Sequence, residues 1–196
     1  MDEALIRSYY LDYRMSVKDI ALLLNCSTGR VDYWLAKYHI EKRSLSDAAF
    51  AKKHGATDGF AIKTNLTLAD AYLFGQGVGI YWGEGNRRNK HAVRVGNTDP
   101  GLLRTFVKFL KEICGVDEYS IRYGLQIFSD ISPNLALVYW QKQLNITRKQ
   151  IMPTVNLIKS GKIGTYKVKN QYGVMTVYVF NMKLRNWLVG QLDMPR

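Results

Sequence analysis

Residues 75–85 read G-Q-G-V-G-I-Y-W-G-E-G, with glycine at 75, 79 and 83 and an acid, Glu84, just before Gly85. The preceding residues 67–74, T-L-A-D-A-Y-L-F, open as a helix. Residues four apart share a helical face, so Gly75, Gly79 and Gly83 form one stripe. Glycine inside a helix costs about 0.5–1 kcal/mol relative to alanine, so three on one stripe need a compensating contact. Close approach of a second helix backbone supplies it. A stripe of this kind is matched by another copy of itself, which makes a homodimer the expected assembly, with Gly75, Gly79 and Gly83 at the interface. The helix then ends at a carboxylate where two such helices meet. Paired carboxylates at a tight crossing suit a divalent metal and phosphodiester hydrolysis.

Charge points to the same class of partner. The chain of 196 residues carries a net charge of +12. Residues 1–55 hold nine Lys/Arg against seven Asp/Glu, residues 56–130 nine against eight, and residues 131–196 ten against one. A single acid offsets the cations of the last third, so a polyanion is the expected partner. These cations read as lying in strand-like segments rather than on one amphipathic helix, which argues against a membrane surface. No apolar run reaches the length of a membrane span, and Met1-Asp2-Glu3-Ala4 does not begin a signal peptide, so the expected location is cytoplasmic and DNA-associated. Cys26 and Cys114 lie in apolar helical patterns and read as buried free thiols.

Residues 77–85 resemble the signature motif of the LAGLIDADG homing endonucleases. Gly79 and Gly83 fall at its two small positions, Glu84 at its acidic position and Gly85 at its final glycine. The following Val93-Arg94-Val95-Gly96-Asn97-Thr98-Asp99-Pro100 and the helical run to Cys114 are also similar to that family, and the resemblance covers roughly residues 66–193. It implies a curved antiparallel sheet laid along the major groove of DNA. It also implies two motif helices packed about a two-fold axis, because only one copy of the motif is visible. Residues 130–140, D-I-S-P-N-L-A-L-V-Y-W, lack both the glycine spacing and the terminal acid. Each subunit would then contribute one Glu84, with the Gly83 carbonyl beside it, to a shared Mg²⁺ site. A lysine often helps organise solvent in this family. Lys142, Lys159 and Lys162 all qualify.

Residues 4–43 carry a second pattern. Residues 4–13 read as one amphipathic helix. Ser16 reads as an N-cap with Asp19 as its capping-box partner, and Val17, Ile20, Ala21 and Leu24 recur at helical spacing. Asn25-Cys26-Ser27 is a short turn, and residues 28–38 form the next helix, with Val31, Trp34 and Leu35 inward. This resembles the helix-turn-helix module of bacterial and phage DNA-binding proteins, whose second helix enters the major groove. The residues expected to meet DNA are Ser27, Thr28, Arg30 and Tyr33, with Lys37 near phosphate. The Arg30 fork matches guanine O6 and N7.

The remainder reads as an α+β domain. Asn86-Arg87-Arg88-Asn89-Lys90 is a basic turn, residues 91–97 a strand, and residues 98–114 a capped helix with Leu102, Leu103, Phe106, Phe109, Leu110 and Ile113 inward. Residues 119–128 alternate: Tyr119, Ile121, Tyr123, Leu125 and Ile127 face one way, and Ser120, Arg122, Gly124 and Gln126 the other. Residues 132–144 read as a helix, 150–159 and 163–180 as strands, and 181–192 as a closing helix. The polar face of the sheet would present Arg94, Arg122, Gln126, Thr165, Lys167 and Lys169 to DNA, with Arg87, Arg88 and Lys90 beside it.

The expected organisation is a helix-turn-helix domain over residues 1–45, a connector over 46–65, and a LAGLIDADG-like domain over 66–196 with an antiparallel sheet backed by helices. Two functions fit: a Mg²⁺-dependent endonuclease cutting double-stranded DNA, or a cleavage-inactive DNA-binding transcriptional regulator. The scattered His39, His54 and His91 argue against a histidine-metal nuclease.

Overall fold

The computed structural model describes residues 2–43, 48, 51–52, 55, 58–158 and 171–192. Two compact units divide the chain, Met1–Gly59 and Phe60–Arg196.

In the first unit, α1 (Glu3–Arg7) runs into a wide π turn over Ser8–Asp12, so the helix expected at 4–13 is split by a change of pitch. Tyr13 N–H donates to the Ser8 carbonyl, five residues back, and Arg14 then turns the chain at a positive φ of 52°. Helix α2 (Val17–Leu23) starts at the expected capping box: Ser16 and Asp19 bond each other reciprocally. The Ser16 hydrogen bond holds the Asp19 carboxyl below its usual range. Asn25 ends the turn with a positive φ of 47°, a conformation asparagine tolerates better than most residues. Helix α3 (Thr28–Lys37) follows. Ile6, Tyr10, Ile20, Ala21, Val31, Leu35 and Ile40 close one small core, with Trp34 and Cys26 packed at its edge. The Arg43 guanidinium fastens the tail. It donates to the Arg14 carbonyl at 2.8 Å and lies 4.1 Å from the centre of the Tyr10 ring.

The second unit begins at Phe60, inside the segment expected to be connector. Ala61 and Lys63 N–H groups donate to the Cys114 and Ile113 carbonyls, at 3.0 and 2.8 Å. This pairing ties the strand of chain before the motif helix to the core. Helix α4 (Leu68–Glu84) is capped by Thr67. Asp70 accepts from the Lys63 ammonium at 2.8 Å and from the Thr67 hydroxyl and N–H. Those bonds, the Lys63 one foremost, hold its carboxyl at about 2 against an ordinary 3.8.

The sheet comprises β1 (Val93–Asn97), β2 (Ile121–Phe128), β3 (Asn156–Ile158) and β4 (Val174–Val179), in the order β1-β4-β2-β3. The pairs β1–β4 and β4–β2 are antiparallel; β3 adds to β2 in parallel, so the sheet is mixed. Helices α5 (Pro100–Glu112), α6 (Pro133–Leu144) and α7 (Met182–Gly190) join α4 in covering it. The alternation reads correctly from Ile121 onward: Ile121, Tyr123, Leu125 and Ile127 are buried with Val93, Val95, Met175, Val177 and Val179. Tyr119 departs from it, being 83% exposed, because residues Glu118–Ser120 form a 3₁₀ turn ahead of the strand. In the described part of the strand expected at 150–159, pairing is confined to β3 and a single bridge from Ile151 to Tyr123, and Gln150 instead closes a 3₁₀ turn with Thr147. Leu102 is only half-buried. Cys114 is buried, which pushes its thiol up to about 12, whereas Cys26 is half-covered.

Candidate nucleic-acid interface

Helix α3 is positioned by its core residues. Val31 and Leu35 are buried, and Arg30, Tyr33 and Lys37 recur at helical spacing on the opposite side, all exposed, with Thr28 at the first turn. Ser27 has a structural role besides the contact expected of it. Its hydroxyl accepts the Arg30 backbone N–H at 3.2 Å and caps the helix. Tyr33 meets Trp34 edge-on at 5.4 Å, and the Lys37 ammonium sits 4.7 Å from the Trp34 ring centre. Asp32 is paired with Lys42 at 2.9 Å, which offsets the one acid within the helix.

In the second unit, the sheet presents one buried face and one half-exposed face. The second face carries rows set by strand register: Arg94–Tyr178–Arg122, then Gly96–Thr176–Gly124, then Val174–Gln126–Asn156. Arg94, Arg122 and Gln126 are therefore brought together, as the alternation implied. Arg94 Nη2 donates to the Tyr178 hydroxyl at 3.1 Å, and its guanidinium lies 4.8 Å from that ring's centre. Lys167, Lys169 and Thr165 lie outside the described residues, as do Lys159 and Lys162. The described cations of the last third depart from the strand-like reading. Lys142 is on α6, Arg148 and Lys149 form a 3₁₀ turn, and Lys183 and Arg185 are on α7.

The basic turn is built by asparagines. Asn86 Oδ1 accepts from the N–H groups of Arg88 and Asn89, both at 3.1 Å, and Asn89 Oδ1 accepts from His91 N–H at 2.8 Å. Arg87, Arg88 and Lys90 are left exposed. Arg185 Nη2 donates to the Arg87 carbonyl and pins this turn to α7.

Glu84 is exposed at the end of α4. The chain leaves the helix directly into the sheet edge: Gly85 pairs across from Val95, and Asn86 N–H donates to the Arg94 carbonyl at 2.9 Å. The acid thus sits where the motif helix, the basic turn and β1 converge. Just beneath it, Tyr81 is fully buried, and burial raises its phenol while the nearby Arg185 and Arg87 charges pull the other way. Among the described residues neither its hydroxyl nor Arg185 Nε has a hydrogen-bond partner.

The glycines of α4 divide by face. A Cβ on Gly77 would lie 2.1 Å from Phe109 Cγ, and one on Gly85 would lie 2.2 Å from the Tyr81 carbonyl oxygen. At Gly75, Gly79 and Gly83, no described group lies within 4 Å of a Cβ. The expected seam stripe is therefore open, flanked by Leu68 at 88%, Tyr72 at 70% and Trp82 at 63% exposure.

Among the described residues, no three His, Cys, Asp or Glu side chains come together. Glu84 with the Gly83 carbonyl, free at a helix C-terminus, matches half of a hard-cation site. Among the described residues no helix is long and apolar enough to cross a membrane. Comparison with protein-family models, with curated proteins and with solved structures finds no match to this chain.

Proposed function

We propose that this protein binds double-stranded DNA sequence-specifically, as a homodimer of the LAGLIDADG type with an added helix-turn-helix reader. The observation that carries this reading is the capped, core-anchored α3. It holds Arg30, Tyr33 and Lys37 exposed on one side while Val31 and Leu35 are buried on the other. A rigid helix with an exposed arginine and flanking polar groups is what major-groove reading requires. The sheet face with Arg94, Arg122 and Gln126, and the turn with Arg87, Arg88 and Lys90, supply phosphate contacts and further base contacts.

Cleavage is the further step in the same reading. Two copies joined along Gly75, Gly79 and Gly83 would bring two Glu84 carboxylates together, each with a Gly83 carbonyl. Facing carboxylates repel, and a shared cation relieves that repulsion. Bound Mg²⁺ supplies charge stabilisation at the phosphate and an activated water. The chain's own part is to hold Glu84 between the helix end and the sheet. The alternative, a regulator that binds without cutting, is favoured by the single carboxylate each chain offers at that point.

A randomised duplex library incubated with Mg²⁺, and in parallel with EDTA, tests both readings. Cut product only with metal selects the nuclease, and a retained intact sequence selects the regulator. Affinity falls steeply with salt, by a log–log slope of about −0.9 per phosphate contacted. A slope near zero removes the DNA reading. Arg30→Ala costs about 1–3 kcal/mol on the preferred site and relaxes choice at one base pair. Glu84→Gln leaves binding intact and stops cleavage.

A further inference from the structure

The half-exposed sheet face carries an aromatic pair that reading base edges does not need. Tyr178 and Phe180 follow one another along β4 and its exit, and their rings stack at 5.8 Å with 16° between planes. Tyr178 is fixed from three sides. Arg94 lies against it and bonds its hydroxyl, Arg122 is its register partner on β2, and its ring leans over Gly124, where a Cβ would lie 2.8 Å from Tyr178 Cε2. Phe180 is therefore backed by a ring that Arg94 holds, and Phe180 itself is 47% exposed. Beside the pair, Gly96 and Gly124 flank Thr176 in register and make room for the Thr176 and Tyr178 side chains that lie over them. None of the described strand residues on this face is acidic, and two are arginines.

In duplex DNA the bases offer their edges in the grooves, and arginine or glutamine forks read those edges. The flat face of a base becomes available only when it is unpaired or unstacked, and then an aromatic ring on an open sheet, flanked by arginines that track the backbone, is the surface that holds it. We propose that Phe180, backed by Tyr178 and flanked by Arg94 and Arg122, is a stacking site for an unpaired nucleobase of a single-stranded nucleic acid. This rests on the reading that the sheet face meets nucleic acid, and it assigns the strandedness that this part of the face accepts.

The test uses the full chain and a short mixed-sequence oligonucleotide carrying 2-aminopurine, as single-stranded DNA, single-stranded RNA and blunt duplex. Stacking quenches 2-aminopurine, a signature that phosphate contacts do not produce. The wild type binds a single strand and quenches the probe. Phe180→Ala weakens single-strand binding by on the order of tenfold, the scale of one lost base–aromatic stack, and abolishes the quench while duplex affinity stays within about twofold. Phe180→Trp restores both. Because Phe180 is half-exposed, the alanine variant leaves no buried cavity, and an unchanged melting curve verifies its fold. Wild type that ignores both single strands overturns the proposal. So does a Phe180→Ala protein that binds and quenches as wild type, or one that loses single strand and duplex equally. Binding to the single strand with none to duplex upholds the stacking site and removes the duplex reading instead. The DNA and RNA arms decide which single strand it accepts.

Discussion

The two faces of helix α4 use glycine for opposite ends. On the inner face, Gly77 lies against the Phe109 ring, and Tyr81 stacks parallel to Phe106 at 6.4 Å. Gly85 closes the helix where any side chain would strike the Tyr81 carbonyl. These glycines are explained by neighbours in the same chain. On the outer face, Gly75, Gly79 and Gly83 meet no described group, although each costs helix stability. The helix is apolar nearly all the way round, with charge only at Asp70 and Glu84, near its two ends. A helix of that composition is ordinarily covered on all sides. The difference teaches that the same residue, in the same helix, is answered within the fold on one face and leaves an unanswered demand on the other.

The largest expected effect comes from breaking the inner face. Gly77→Ala drives a methyl into the Phe109 ring and should lower unfolding free energy at or above the upper end of the roughly 1–3 kcal/mol seen for overpacking, despite the helix propensity gained. Urea denaturation measures it. A loss below the noise would mean that α4 can rise off α5 freely. Next is the outer face. Gly79→Leu should weaken self-association by about ten- to hundredfold if a second copy covers the stripe, the equivalent of a comparable overpacking cost, read by light scattering across a dilution series. A wild-type monomer at every concentration would remove the shared Glu84 site.

A gentler substitution separates the two cases by sign. Gly79→Ala should stabilise the chain by about 0.5–1 kcal/mol if that face stays in water, and should weaken the dimer if it is a seam. Melting temperature and association, measured on one sample, decide between them. The smallest effect concerns the start of the helix. Asp70 has a folded-state value of about 2 against an ordinary 3.8, so its contribution is fully present above the ordinary value. That stability is lost as pH falls from near 4 through 2, because the unfolded chain takes up the proton first. Asp70→Asn should flatten the stability profile in that window and lower stability by a pH-independent amount near neutrality. An unaltered acid slope would mean the Lys63 and Thr67 bonds do not hold in solution.

Much of this fold was legible in the residues. Caps at Ser16, Thr67 and Asp99 are local chemistry, and all three start helices where the pattern placed them. The alternation from Ile121 to Ile127 gave the two faces of β2, because strand period and burial coincide there. Elsewhere long-range contacts decided. Ala61 and Lys63 tie the chain ahead of α4 to the residues that follow α5, a pairing that no local pattern in a polar connector could reveal.

For the candidate site, sequence alone determined which residue types are present: the glycine stripe, its terminal acid, the basic turn, and a capped helix carrying Arg30. Period and capping are properties of a few neighbouring residues, so they can be read along a line. Only the tertiary structure separated the glycines into packed and open sets, since Phe109 is more than thirty residues from Gly77 in the chain. Only register placed Arg94, Tyr178 and Arg122 in one row across three strands, and turned Phe180 from one aromatic among many into the exposed half of a stacked pair. Pairing across a sheet is set by the whole core's packing, and a one-residue slip would have sent every one of these side chains to the other face.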